Sequence, residues 1–174
     1  MSRAGVLSTF AMLAAFATSC SQDPPLAVAP NVDLSRFQGQ WFEIAKLPRT
    51  TQTDCYGTLA FYTLSSDGTL VLVNQCHVGS ISGPLKSVTM TAKATDPATP
   101  AKLSLDVGGF YGDYWILEVG TDYEYAVVGH PSRSYLWILS RTPSIDQTKL
   151  QSILSNVRAA QFDTSRLEYT PQSQ

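Results

Sequence analysis

Charge is scarce in this chain: of 174 residues only 12 are Lys or Arg and 14 are Asp or Glu, for a formal charge of -2. The basic residues nowhere cluster as a phosphate-tracking surface requires, which argues against a nucleic-acid partner. Long hydrophobic runs are missing too. Beyond the N-terminus each apolar stretch is strand-length and broken by Gly, Pro, Asp or Thr, so no later segment suits a bilayer-spanning helix. There are two histidines, His77 and His130, and neither falls into a Cys/His/Asp spacing that would hold zinc. No nucleophile elbow and no phosphate loop is present, so neither metal nor cofactor is expected. The size suits one globular domain with appendages.

Cysteine is also sparse, and its count of three is odd. Met1-Ser2-Arg3 places a positive charge before an apolar stretch running from Ala4 to about Ala17, too short to span a bilayer and right for an export signal. Two cleavage readings compete. Ala15-Phe16-Ala17 fits ordinary small-x-small cleavage, whereas Ala17-Thr18-Ser19-Cys20 resembles a bacterial lipobox, with Ala17 where that pattern prefers leucine. The lipobox is preferred, because acylating Cys20 leaves an even pair of thiols and supplies the several acyl chains that stable anchoring needs. Ser21 follows in place of an inner-membrane retention aspartate, which points to a periplasm-facing anchor on the outer membrane; the alternative is a soluble exported protein. The expected organisation is a signal at 1–19, a flexible lipid-anchored tether at 20–31 rich in proline, a domain at 32–170 and a tail at 171–174.

Within the domain, turn clusters such as Ser65-Ser66-Asp67-Gly68, Asp96-Pro97 and Gly108-Gly109 recur every dozen or so residues and separate strand-like segments. These predict strands near 40–47, 57–64, 69–77, 86–94, 102–108, 113–119, 123–129 and 135–141. That spacing argues an all-β sandwich or barrel, and about eight strands is the number whose closed barrel can hold one small ligand. One amphipathic helix is predicted from about Asp146 to Gln161: Leu150, Ile153, Leu154 and Val157 make its stripe, and Ser144 with Gln147 fits a capping box. It should lie outside the barrel, and a last short strand is expected near Leu167-Glu168-Tyr169.

Three motifs occur in order. Gly39-Gln40-Trp41, preceded by Phe37 and followed by Phe42-Glu43-Ile44-Ala45, opens the first strand. Thr121-Asp122-Tyr123 precedes the seventh, and Arg141 closes the eighth. Together they resemble the lipocalins, over about Asp33 to Tyr169, and with the segments Gly108–Tyr114 and Tyr135–Pro143 and the lipobox they look most like that family's bacterial lipoprotein branch. The resemblance implies an all-β, eight-stranded up-and-down barrel with a C-terminal helix packed outside, closed at one end by tryptophan and open at the other. It implies carriage of a small hydrophobic ligand, above all a fatty acid or lysophospholipid; another hydrophobe, such as an isoprenoid, pigment or signal molecule, is the alternative. It also places Arg141 across the Trp41 ring, a contact of about 0.5–2 kcal/mol that serves stability rather than binding.

Alternation along strands then sets which residues face inward. Counting from Trp41, and aided by the family pattern, the inward sets are Glu43, Ala45 and Leu47; Thr58, Ala60 and Tyr62; Leu70, Leu72 and Asn74; Met90, Ala92 and Ala94. The later strands contribute Leu103, Leu105 and Val107, then Tyr114 and Ile116, then Tyr135, Trp137 and Leu139. Alanines at 45, 60, 92 and 94 leave volume that a solid core would fill, although such residues can also pack without leaving a pocket. The expected ligand walls are Glu43, Ala45, Ala60, Tyr62, Leu72, Asn74, Met90, Ala92, Leu105, Tyr114, Ile116, Tyr135, Trp137 and Leu139, with Tyr62, Tyr114 and Tyr135 supplying hydroxyls. Buried Glu43 needs a lysine, a cationic ligand group or solvent.

Counting outward from the Asp67-Gly68 turn brings Cys76 close to Cys55, and an oxidising compartment would join them. The rival is a thiol-dependent enzyme using an inward Cys76, for which no histidine or acid is placed to activate the sulfur. The chain is therefore expected not to be an enzyme.

Overall fold

The computed structural model describes residues 24–172. Nine strands alternate with turns: β1 Gly39–Lys46, β2 Cys55–Leu64, β3 Leu70–Val78, β4 Leu85–Ala94, β5 Lys102–Val107, β6 Phe110–Val119, β7 Tyr125–Gly129, β8 Leu136–Ser140 and β9 Glu168–Tyr169. Neighbours in sequence pair antiparallel from β2 to β8, and β1 pairs with both β8 and β2, which closes the barrel. The eight predicted strands are all there with ends shifted by a few residues. The largest shift is at β6, which starts three residues early at Phe110; β7 starts two residues late, because Tyr123 takes a positive φ of 57° inside the preceding turn and its hydroxyl accepts from the Asp33 amide at 2.7 Å.

A single helical turn, α1, Leu34–Phe37, precedes β1 and drops Phe37 into the interior. The long helix α2 covers Gln147–Ala159, with Leu150, Ile153, Leu154 and Val157 buried as its spacing predicts. Its cap differs from the expected Ser144 box: the Asp146 carboxylate accepts from the Lys149 amide at 3.0 Å. A carboxylate at the N-cap also meets the positive end of the helix dipole, so the helix starts two residues later than the serine would set it.

Apolar residues form two clusters on either side of the barrel wall. One fills the inside around Phe37, Trp41, Leu70, Leu103 and Ile116; the other lies between β1, β7, β8 and α2 and holds Ile44, Val127, Ile138 and Ile153. Strands β7 and β8 are buried at every position, because one face looks inward and the other lies under α2. Their near-continuous apolar runs, Tyr125-Ala126-Val127-Val128 and Leu136-Trp137-Ile138-Leu139, follow from that.

The motif residues meet at one end. Arg141 lies with its guanidinium carbon 3.7 Å from the Trp41 ring centroid, donating to the carbonyls of Gln40 at 2.7 Å, Arg36 at 2.8 Å and Tyr123 at 3.3 Å. The Trp41 indole donates to the Phe37 carbonyl at 2.8 Å. Gly39 has φ 92°, and a Cβ there would sit 3.4 Å from the Arg141 guanidinium, so the glycine serves both the backbone turn and the arginine's approach. The three motifs are thus one assembly that closes the barrel.

Two expectations about the chain ends are corrected. Of the segment read as a flexible tether, the described part is packed: Leu26 and Ala29 are buried, and the Ala29 amide donates to the Ile116 carbonyl at 3.0 Å. Apolar side chains between the prolines find the barrel, which proline content alone does not reveal. The start of the expected tail is likewise tied down. After a bulge between Glu43 and Ala45, β2 leaves β1 and β9 takes its place against Ala45 and Lys46. The amides of Thr170 and Gly57 then donate to the carbonyls of Ile44 and Pro171 respectively, so the C-terminal segment fills the gap between β1 and β2. Cys20 and the segment read as an export signal lie outside the described residues.

Candidate functional site

The end opposite Arg141 carries a cavity of about 370 Å³, near the lower bound of about 300–1,000 Å³ usual for small-molecule pockets. Its apolar lining comes from β4 and β5: Val88, Met90, Leu105 and Val107. Polar residues adjoin it, namely Arg49, Thr51 and Gln52 of the β1–β2 loop, Thr58 of β2, Asn74 and Gln75 of β3, and Lys86 at the start of β4, and since Asn74 is the cross-strand partner of Val88 the strand residues form one continuous mixed wall. Cys55 and Cys76 join in a disulfide on this wall, as expected, with Cα atoms 5.4 Å apart. Neither sulfur is a free thiolate, which removes the nucleophile of the enzymatic alternative.

Deeper in, a second space of about 30 Å³ is lined by Glu43, Ala60, Tyr62, Tyr114, Trp137 and Leu139 and shares Arg49, Thr58, Asn74, Met90 and Leu105 with the first. It has room for about one or two waters. Its hydroxyl pair Tyr62 and Tyr114 stand 2.5 Å apart. Burial raises Tyr62 well above the usual tyrosine value and pushes Tyr114 up to about 12, so both stay neutral.

Of the fourteen residues expected on the ligand walls, Glu43, Ala60, Tyr62, Asn74, Met90, Leu105, Tyr114, Trp137 and Leu139 line these two spaces. Five do not. Leu72, Ala92 and Ile116 point inward but belong to the solid cluster that includes Phe37 and Trp41. There Phe37 stacks 4.9 Å from Trp41 and 5.0 Å edge-on from Tyr62, so aromatic volume occupies the space that small side chains on β4 leave. Ala45 packs in the outer cluster under α2, and so does Leu47, expected inward though not on the ligand walls. The bulge after Glu43 reverses the alternation: Ala45 pairs with outward Ile138, and Lys46 pairs with inward Trp137, since residues directly opposite share a face. Tyr135 precedes β8 and is 40% exposed, its ring stacked 6.4 Å from Trp137.

Arg49 and Gln52 escaped strand-parity reasoning because they sit on a loop. Arg49 holds its guanidinium carbon 4.9 Å from the centroids of both Tyr135 and Trp137, and Gln52 accepts from the Trp137 indole at 3.3 Å. Glu43 is buried as predicted and is satisfied within the protein. It accepts from the Thr170 hydroxyl at 2.6 Å and the Gln52 amide at 3.1 Å, and its backbone carbonyl takes the Gln172 amide at 2.7 Å. Desolvation raises its pKa against these hydrogen bonds and the pull of Lys46 and Arg49. Lys46, itself buried, is paired with Glu168.

A closed antiparallel barrel, sealed at one end by stacked tryptophan and arginine and hollow at the other, is the architecture of a small-hydrophobe carrier. The chain belongs to the lipocalins: residues 32–172 match the lipocalin-like domain family. Among relatives it is 32% identical to outer membrane lipoprotein Blc of Escherichia coli K12, over 88% of this chain and 89% of that one. It is 33% identical to temperature-induced lipocalin-1 of Arabidopsis thaliana, over 85% and 83%. Solved structures share the fold at lower identity: the cockroach allergen Per a 4 superposes with a TM-score of 0.66 at 21% identity, covering 84% of this chain and 92% of the allergen. Insecticyanin from the tobacco hornworm superposes at 0.65 with 22% identity, covering 88% and 87%. Membership makes this a binding protein for small hydrophobic ligands rather than an enzyme.

Proposed function

We propose that this protein holds a single-chain acyl lipid, a fatty acid or a lysophospholipid, at the bacterial outer membrane, to which acylated Cys20 anchors it facing the periplasm. The observation that carries the reading is the mixed cavity, in which apolar Val88, Met90, Leu105 and Val107 adjoin polar Arg49, Thr58 and Asn74. One apolar chain plus one polar head fits such a space, whereas a wholly apolar ligand would leave the polar residues desolvated without partners. The relatives named outer membrane lipoprotein Blc, in Escherichia coli and at 31% identity in Citrobacter freundii, support both the lipid anchor and the membrane.

The test is mass spectrometry of the organic extract of the protein purified from a bacterial periplasm, with Cys20 replaced so that no covalent lipid contributes. A fatty acid or lysophospholipid near one per protein is the expected result. An empty extract, together with refusal of added acyl probes, would refute the reading.

A further inference from the structure

Three buried side-chain polar atoms lack a hydrogen-bond partner among the described residues: Arg49 Nε, Thr58 Oγ1 and Asn74 Oδ1. They come from a loop and two different strands, yet all three residues line both the outer and the inner cavity. Buried polar groups without partners are uncommon, and each costs about 1–3 kcal/mol. Three of them converging on one space indicate that the partner is something the cavity receives.

The charge of the larger cavity is one-sided. Arg49 and Lys86 line it and no Asp or Glu does, although the chain as a whole carries -2. Arg49 forms no ion pair among the described residues. The carboxylate nearest in influence, Glu43, already accepts from Thr170 and Gln52. Lys86 is held at the rim, donating to the Thr51 carbonyl at 3.1 Å. The Arg49 guanidinium is therefore a partly desolvated cation braced against the Tyr135 and Trp137 rings, with its Nε donor unused.

We infer that Arg49, Thr58 and Asn74 form a head-group clamp that selects anionic acyl lipids, holding the head inward at the junction of the two cavities while the chain lies along Val88, Met90, Leu105 and Val107. This rests on the lipid-carrier reading and adds a charge and an orientation to it. An anionic oxygen accepts from Arg49 Nε, in the stronger class of charge-assisted bonds, and from the Thr58 hydroxyl. The Asn74 side chain meets a neighbouring head-group atom, accepting from a hydroxyl through Oδ1 or donating through Nδ2. A carboxylate from a free fatty acid and a phosphate from a lysolipid share this chemistry.

The test uses the purified full-length protein, delipidated on hydrophobic resin, and displacement of the neutral fluorescent probe N-phenyl-1-naphthylamine at pH 8. Palmitate is compared with hexadecanol, and 1-palmitoyl lysophosphatidate with 1-palmitoylglycerol, so each anion has a neutral counterpart of the same chain. The expected result is at least tenfold tighter binding of one or both anions; which one identifies carboxylate or phosphate as the head. Arg49→Gln should bring anion and neutral lipid to equal affinity, Arg49→Lys should restore part of the difference, and Asn74→Asp should reverse it. Equal binding of anions and neutral lipids to the wild type would overturn the clamp and leave the carrier reading standing. A preference that survives both Arg49→Gln and Asn74→Asp would overturn it too, by placing the selectivity at the rim. Failure of the probe and of every lipid to bind would remove the carrier reading together with the clamp.

Discussion

Replacing Arg141 by methionine should destabilise the barrel without touching its ligand. The substitution keeps an unbranched stem over Gly39 and removes the charge and the donors. What is lost is the contact at 3.7 Å over Trp41, about 0.5–2 kcal/mol, and three hydrogen bonds to the carbonyls of Gln40, Arg36 and Tyr123. Hydrogen bonds contribute about 0.5–1.5 kcal/mol each; here the lower end applies, since these carbonyls are partly exposed and can turn to water. The sum is about 2–4 kcal/mol, a large share of the roughly 5–15 kcal/mol that holds a domain together. Urea unfolding at pH 7, followed by tryptophan fluorescence, should show the midpoint falling by about 1–2 M at an m-value of about 2 kcal/mol/M. A double-mutant cycle with Trp41→Leu isolates the ring contact, with an expected coupling of about 0.5–2 kcal/mol. Lipid affinity should stay at the wild-type value, because Arg141 borders neither cavity. A loss under about 0.5 kcal/mol, or a folded variant that no longer binds lipid, would refute this account of the closed end.

Glu43→Gln probes the buried carboxylate. Its folded pKa is raised above the ordinary 4.5 by desolvation, so the stability it contributes is complete below that value and is lost as pH rises through the folded pKa, at about 1.4 kcal/mol for each unit of elevation. Urea curves at pH 4 and pH 8 should therefore show the variant gaining on the wild type at the higher pH; parallel behaviour at both would contradict the burial argument. Reducing the Cys55–Cys76 bridge, which closes a separation of 21 residues, should cost about 3 kcal/mol by the loop-entropy relation, and a shift under about 1 kcal/mol in the same unfolding assay would count against it. Trp137→Ala opens the inner space beside Tyr114 and should weaken acyl binding by roughly tenfold, about what loss of a buried aromatic contact implies; unchanged affinity in a folded variant would move the ligand elsewhere. Cys20→Ala should release the protein from the membrane fraction, and retention there would end the lipobox reading.

Strand spacing carried the all-β class, because period-two alternation and turn residues are local properties that a chain displays before it folds, and the three motifs carried the barrel through their resemblance to the lipocalins. The inward position of Glu43 was legible for the same reason, since it lies two residues from Trp41 with no irregularity between them. The cap of α2 and the positions of Ala45 and Leu47 were not. One unannounced bulge turns every following side chain to the other face, and it arises where β9, more than a hundred residues later, displaces β2 from β1. The cavity's extent was equally hidden: Ala92, Leu72 and Ile116 do face inward, but whether an inward residue lines space or packs solid depends on volume supplied from elsewhere, here by Phe37 and Trp41.

The sequence by itself therefore determined the all-β class and the outer helix, written in spacing and in the apolar stripe, and brought Cys55 near Cys76; the closed barrel and the tryptophan–arginine seal followed from the resemblance that the three motifs carry. Only the tertiary structure decided where the hollow lies and what chemistry it offers, because a cavity is the volume left when distant segments have packed. Arg49 on its loop meets Thr58 and Asn74 there only after the strands close, and Thr170 and Gln172 reach Glu43 only after the C-terminal segment has settled between β1 and β2.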